Sequence, residues 1–226
     1  MSNPLRDQTP VGAAVTTAAR GVPIGRDCMS AYDNLYAARL ASWVGSESEL
    51  TWLAPGTVPP LSAAKVAKWG ERAEHRLLFW HDTCVDPIGY GELNKMPADP
   101  DQMWIGHCIL DPAVRGRGFG ERFVHALLTR AFDALAAQAV VLVVFPENAA
   151  AIRCYLKNGM VITGREEKYF KSTRRRHEFL RMGIDRNHFV RLRAAGHWKR
   201  EPAQFVGAFS EARRDLVRRR RIANSA

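Results

Sequence analysis

Between an apolar run and an amphipathic pattern the chain carries LDPAVRGRGFGERF at 110–123, with glycines at 116, 118 and 120 and arginines at 115, 117 and 122. A strand that empties into glycine and then into a helix constrains the architecture strongly. Glycine tolerates positive φ and close approach, and a helix start adds partial positive charge, so such a segment is shaped to receive a phosphate. A flexible basic turn is the plain alternative. Two nucleotide motifs fail on spacing. A P-loop needs Gly-Lys followed by Ser or Thr, which is absent. A dinucleotide fingerprint needs a third glycine where this chain has Glu121 or Phe123, and five residues (111–115) precede Gly116 where that fold turns at once.

The elements around the loop read as a mixed α/β domain. SAYDNLYAARLASWVG (30–45) has helical apolar spacing with Ser30 as cap, and LSAAKVAKWGERA (61–73) is a second helix. HRLLFWHD (75–82) and DPIGYGELNKM (86–96) read as strands, and QMWIGHCIL (102–110) as a third, central one. After the loop, Phe119, Phe123, Val124, Leu127, Leu128, Ala131, Phe132 and Leu135 share one helix stripe. Glu121, Arg122, His125, Thr129 and Arg130 lie opposite, which makes His125 a solvated residue. VVLVVF (140–145) is a buried strand, NAAAIRCYLKNGM (148–160) a helix capped by Asn148 and closed by Gly159, and MVITGREEKYF with HEFLRMGID (177–185) a hairpin.

The glycine segment also contains R-x-x-G-x-G at Arg115, Gly118 and Gly120, and at this point the sequence resembles the GCN5-related N-acetyltransferase (GNAT) superfamily. A second motif supports the resemblance: Asn148, Ala151, Tyr155, Lys157 and Gly159 match N-x-x-A-x-x-x-Y-x-K-x-G-F, with Met160 in place of Phe. The resemblance spans about residues 28–185, takes in PIGYGEL as the family's third strand, and leaves the first strand unplaced. It implies a central mixed sheet with a splayed strand pair and flanking helices, acetyl-CoA as co-substrate, no metal, and a primary amine as acceptor. Backbone amides of Arg115, Gly116, Arg117, Gly118, Phe119 and Gly120 would cradle the pyrophosphate, with the charge of Arg115 and Arg117. Ile109 and Leu110 would line the cofactor, the Leu110 N–H would face the thioester carbonyl, and Asn148 would hold the pantetheine arm or only cap its helix. Tyr155 would be the general acid, or an amphipathic anchor of its helix. The general base is not carried over. Relatives place Glu or His four or six residues before the residue matching Leu110, where this chain has Gly106 and Trp104. His107 falls on the opposite face by strand alternation, which leaves Glu92 as candidate base, acting through water, or as an exposed strand glutamate.

Charge is unevenly placed. The net +10 is concentrated in residues 186–226, which hold eleven Lys or Arg against three Asp or Glu. Residues 1–25 read as a partly disordered leader with one poor strand near 12–18, residues 26–185 as the acyltransferase domain, and 186–226 as a basic helical extension. Phe205, Phe209, Ala212 and Leu216 recur at helical spacing after Pro202. That helix docks on the domain or on a second copy in a homodimer, or forms an arm contacting nucleic acid or a ribosome. A non-catalytic CoA-binding or nucleic-acid-associated module is the alternative function. Arg174, Arg175 and Arg176 at the last hairpin turn suggest an acidic or phosphate-bearing acceptor, or a solvated turn. No apolar stretch has membrane-spanning length, and four scattered cysteines without C-x-x-C spacing suggest reduced thiols in a cytoplasmic protein.

Overall fold

The computed structural model describes residues 26–71, 73–82 and 84–206, so the leader and the tail positions Phe209, Ala212 and Leu216 lie outside the described residues. The chain enters as Asp27–Ala31 (β1), antiparallel to His75–His81 (β2) with Met29 opposite Phe79. This is the strand that the sequence left unplaced, and it corrects the expected helix over 30–45. Ser30 is a buried strand residue whose hydroxyl accepts from Trp80 Nε1 at 3.0 Å. Asp33 caps a 3-10 turn instead, and the helix is only Ala37–Ser42 (α1). The aromatic spacing has another cause: Tyr32 packs edge-on against Tyr90, and Tyr36 against Trp80, on the face of the sheet.

Glu47–Leu53 (α2) was not anticipated, although its signal is local. Ser46 accepts from the Glu49 N–H while the Glu49 carboxylate reaches back to the Gly45 N–H. Ala63–Trp69 (α3), capped by Ser62, comes next. Gly89–Met96 (β3) then pairs with two partners in succession, Asp99–Ile105 (β4) and Ile109–Leu110 (β5). The expected continuous strand over 102–110 is therefore broken. Leu93 pairs with Ile105 and Tyr90 with Ile109, so two residues of β3 face three residues, 106–108, a bulge that re-aims the strand beyond it.

Phe119–Thr129 (α4) ends in a π-helical turn, Arg130–Ala134, and leads to Ala139–Val144 (β6), Ala149–Lys157 (α5), Val161–Phe170 (β7) and Arg175–Asp185 (β8). Arg186–Ala194 (α6) and Gln204–Phe205 (β9) complete the described chain. The sheet order is β7-β8-β6-β4-β3-β2-β1-β9, with β5 also on β3. Alternation sorts β2 between two cores: Leu77 and Phe79 join the α4 side, Leu78 and Trp80 the α1–α3 side. The expected mixed sheet with a splayed pair and flanking helices is present.

The polar face of α4 is not solvated, which corrects the expectation for His125. Residues after 185 fold over it. Phe189 is fully buried, Trp198 stacks on His125 with centroids 4.4 Å apart, and the Arg130 guanidinium lies 3.9 Å from the Phe205 ring centroid. His125 is 6% exposed. Burial first, then the charges of Arg193 and His197, push its pKa down to about 4, with Asp133 opposing. Phe205 belongs to β9, parallel to β1, rather than to a tail helix.

Candidate active site

β6 pairs with β4 only at 139–141 against 102–104. Beyond that point β5 stays with β3, and the two central strands separate. A cavity of about 1300 Å³ opens between them, lined by Leu110, Gly118, Gly120, Val144, Asn148 and Tyr155 on one side and by Trp69, Glu92, Trp104 and His107 on the other.

The direction of the Leu110 amide is set by pairing. The Asp111 N–H donates to Ile88 O at 3.0 Å, which makes 111–88 and 109–90 the bonded pairs and 110–89 a non-bonded pair. Ile109 thus uses its backbone groups on Tyr90. Leu110 turns its N–H and C=O away from β3, toward the splay, and its carbonyl accepts from Arg115 Nε at 3.1 Å.

The glycine loop is built from backbone. Gly116 and Gly118 have φ of 72° and 81°, and Gly118 caps α4 without any side-chain bond. A Cβ at Gly116 would meet nothing within 4 Å. The first amides of α4, on Phe119, Gly120 and Glu121, have no preceding helical turn to bond, and Gly118, Gly120 and Glu121 border the cavity, so the segment fits a phosphate-bearing group. The side chains contribute less than expected. The Arg115 guanidinium turns into the protein, bonding Glu49 at 2.6 Å and Trp43 O at 2.8 Å as well as Leu110 O. Burial works against the Glu49 carboxylate, but the Gly45 N–H and Arg115 hold its pKa below the usual value. Arg117 is exposed, and the Phe119 ring is in the core.

Across the splay, Asn148 caps α5 by accepting from the Ala151 N–H at 3.2 Å and also lines the cavity. Tyr155 is buried, with the Cys108 thiol as an electrostatic neighbour of its hydroxyl. Burial, then the neighbouring Cys108 and Cys154, hold the phenol well above its ordinary pKa. Burial likewise pushes both thiols up to about 12, so they stay protonated.

Glu92 is not an exposed strand residue: it is 3% exposed and lines the cavity. Tyr90, two residues earlier on the same face, donates to its Oε1, and Arg76 on β2 donates through Nε to the Tyr90 hydroxyl at 2.7 Å. His107 Nδ1 lies 3.0 Å from the same Oε1. This corrects the placement of His107 on the opposite face, since the bulge at 106–108 breaks the alternation on which that placement rested. The Trp69 ring stacks on His107, centroids 4.1 Å apart and 14° from parallel, and Trp69 is itself held by Nε1 donating to Thr57 Oγ1 at 3.1 Å. Among the described residues nothing bonds His107 Nε2. Gly106 explains where the carboxylate went: a Cβ there would stand 2.7 Å from Glu92 Oε2. The acid sits in the space that a side chain at 106 would occupy.

The family model for the acetyltransferase (GNAT) family matches residues 37–160, more than half of the chain. The chain belongs to the GNAT family of acetyltransferases. Solved structures agree in fold. The aminoglycoside acetyltransferase AAC(6')-Ib, crystallised with coenzyme A, aligns at 20% identity and TM-score 0.59, over 74% of this chain and 99% of its own. The spermidine N-acetyltransferase of Vibrio cholerae, crystallised with CoA and spermine, aligns at 19% identity and TM-score 0.61, over 73% of this chain and 98% of its own. Within this GNAT domain the expected Leu110, Gly116, Gly118, Gly120, Asn148, Tyr155 and Glu92 border one cavity. His107, Tyr90, Arg76, Cys108 and Trp69 were missed as site residues. Only the paired glycines flanking Tyr90 and the Gly106-His107 break offered a signal. Among the described residues no group of three His, Cys, Asp or Glu could hold a metal, and no helix is long and apolar enough to cross a membrane.

Proposed function

We propose that this GNAT protein transfers an acetyl group from acetyl-CoA to a primary amine by direct attack within the cleft. The observation that carries the reading is the convergence of three groups on the splay: the outward Leu110 N–H, the Tyr155 hydroxyl and the uncapped start of α4. Bound acetyl-CoA supplies an activated thioester, and the chain supplies the rest. Amides of residues 116–120 hold the pyrophosphate, Asn148 and Ile109 line the arm, and Arg115 positions Leu110 rather than touching phosphate. His107 Nε2 accepts a proton from the acceptor ammonium, with Glu92 holding the ring through Nδ1 and stabilising the imidazolium, as Tyr90 and Arg76 hold Glu92. The freed amine attacks the carbonyl carbon while the Leu110 N–H donates to the developing oxyanion, a contact worth about 3–4 kcal/mol. As the C–S bond breaks, Tyr155 gives its proton to the sulphur; the nitrogen loses its second proton to solvent to leave the neutral amide, and the phenol is reprotonated from solvent. Its raised pKa keeps it protonated until that negative charge appears.

Ser172 Oγ bonds Pro55 O, fastening the β7–β8 turn to the chain between α2 and α3. Beside it, Trp52 lines both the main cavity and a smaller one bordered by Arg175, Arg176 and His177 and by Glu147 and Glu178. The test of the function is thiol release from acetyl-CoA with a panel of primary amines. Tyr155→Phe is expected to lower kcat by about 10²-fold with the acetyl-CoA KM near wild type. An unchanged kcat removes Tyr155 from the mechanism, and no release by the wild type refutes the transferase.

A further inference from the structure

The acceptor half of the cleft has a distinctive wall, and the surface it presents is flat and apolar rather than anionic. Trp52 comes from α2, Trp69 from α3 and Trp104 from β4, and all three border the same space. Phe170 and Phe179 border it from the hairpin β7–β8.

The charges on this wall are balanced and largely committed. Glu49 is held by Arg115 at 2.6 Å, and Glu92 by Tyr90 and His107. Of the wall's carboxylates, only Glu71 has no side-chain partner among the described residues. Against it stand Lys65, Lys68 and Lys168. Lys65 Nζ bonds the carbonyls of Val58 and Pro60 at 2.6 and 2.7 Å. Lys168 Nζ pairs with Glu166 at 3.2 Å and stands 5.2 Å from the Trp104 ring centroid. A lysine is therefore already placed against the Trp104 π-system, where a bound cation would otherwise be attracted. A second ammonium on an acceptor would find only Glu71 as an unengaged carboxylate and would meet the like charges of Lys65, Lys68 and Lys168, which costs free energy.

We infer that the acceptor is a primary amine carried on a flat aromatic body with a single positive charge, and that polycationic amines are rejected. The inference rests on the transferase reading of this same cleft. The ammonium sits at His107 Nε2, and the aromatic body lies along Trp52 and Trp104. The anionic capacity that a polyamine needs is reduced to Glu71, outnumbered by lysines, since Glu92 is engaged in holding His107.

The experiment measures acetyl-CoA binding by calorimetry and thiol release with tryptamine, phenethylamine, n-butylamine, spermidine and kanamycin. The absence of any acetyl-CoA heat would indict the transferase reading itself, independently of acceptor choice. Given binding, kcat/KM for tryptamine or phenethylamine is expected to exceed those for spermidine, kanamycin and n-butylamine by at least tenfold. Trp52→Ala should raise the tryptamine KM about tenfold with kcat changed less than twofold. The double variant Lys68→Glu/Lys168→Glu should raise kcat/KM for spermidine at least tenfold. Equal or better use of spermidine, kanamycin or n-butylamine, or turnover of none of the five by a protein that binds acetyl-CoA, overturns the inference.

Discussion

On the proposed reading, the two halves of the cleft recognise in different ways. The cofactor half is made of backbone: the Gly116 and Gly118 turns, the open amides of α4 and the outward Leu110 N–H. The acceptor half is made of side chains gathered from β2, β3, the 106–108 bulge and α3: Arg76, Tyr90, Glu92, His107 and Trp69. Backbone recognition has to be contiguous, so it leaves a compact motif and tolerates varied side chains. Side-chain recognition is assembled by pairing register and leaves nothing contiguous to read.

The sharpest way to break this division is to damage one half and watch the other. His107→Gln is expected to lower kcat by 10²-fold or more while acetyl-CoA affinity stays within about twofold, because the imidazole serves only the acceptor. Glu92→Gln should come next with a loss of roughly tenfold to 10²-fold, and the pH profile of kcat should shift as the imidazolium loses its carboxylate. Parallel loss of acetyl-CoA binding in either variant would mean that the halves are not separate.

Arg115→Ala sharpens the comparison from the cofactor side. Its guanidinium ties Glu49, Trp43 O and Leu110 O together, so its loss should destabilise the protein by about 1 kcal/mol, or roughly 2–4 °C in Tm. Acetyl-CoA affinity should fall less than for a glycine-loop variant. A large fall in affinity at unchanged Tm would instead make Arg115 a phosphate ligand.

The smallest effect concerns the face of α4 covered by the segment after 185. The folded pKa of His125, about 4, is below that of an unfolded histidine near 6.5. Between those values the unfolded chain binds the extra proton, so this stabilising contribution is complete above about pH 6.5 and is lost as pH falls toward 4. His125→Phe should reduce the loss of stability between pH 7 and pH 4.5, read by urea unfolding, by an amount on the order of 1 kcal/mol. An unchanged pH slope would show that His125 is not the titrating group.

The contrast also explains which parts were legible. The loop, β6, α5 and the closing hairpin could be read because each has a local period or cap. The first strand could not, because Tyr32, Leu35 and Tyr36 mimic a helix stripe while two of them pack as rings on the sheet. His125 and Arg130 look solvated on α4 alone. Trp198 and Phe205, which cover them, are more than seventy residues away. Glu92 was found by elimination, but its partner was hidden by one extra residue in the bulge, since a shift of one turns every side chain to the other face.

The most direct measurement of the central claim is a calorimetric titration of acetyl-CoA into the wild type, Gly118→Glu and His107→Gln. The account predicts micromolar binding by the wild type and by His107→Gln, and none by Gly118→Glu, whose side chain would strain the φ of 81° and bring a carboxylate to the start of α4. Equal binding by Gly118→Glu, or none by the wild type, would contradict it.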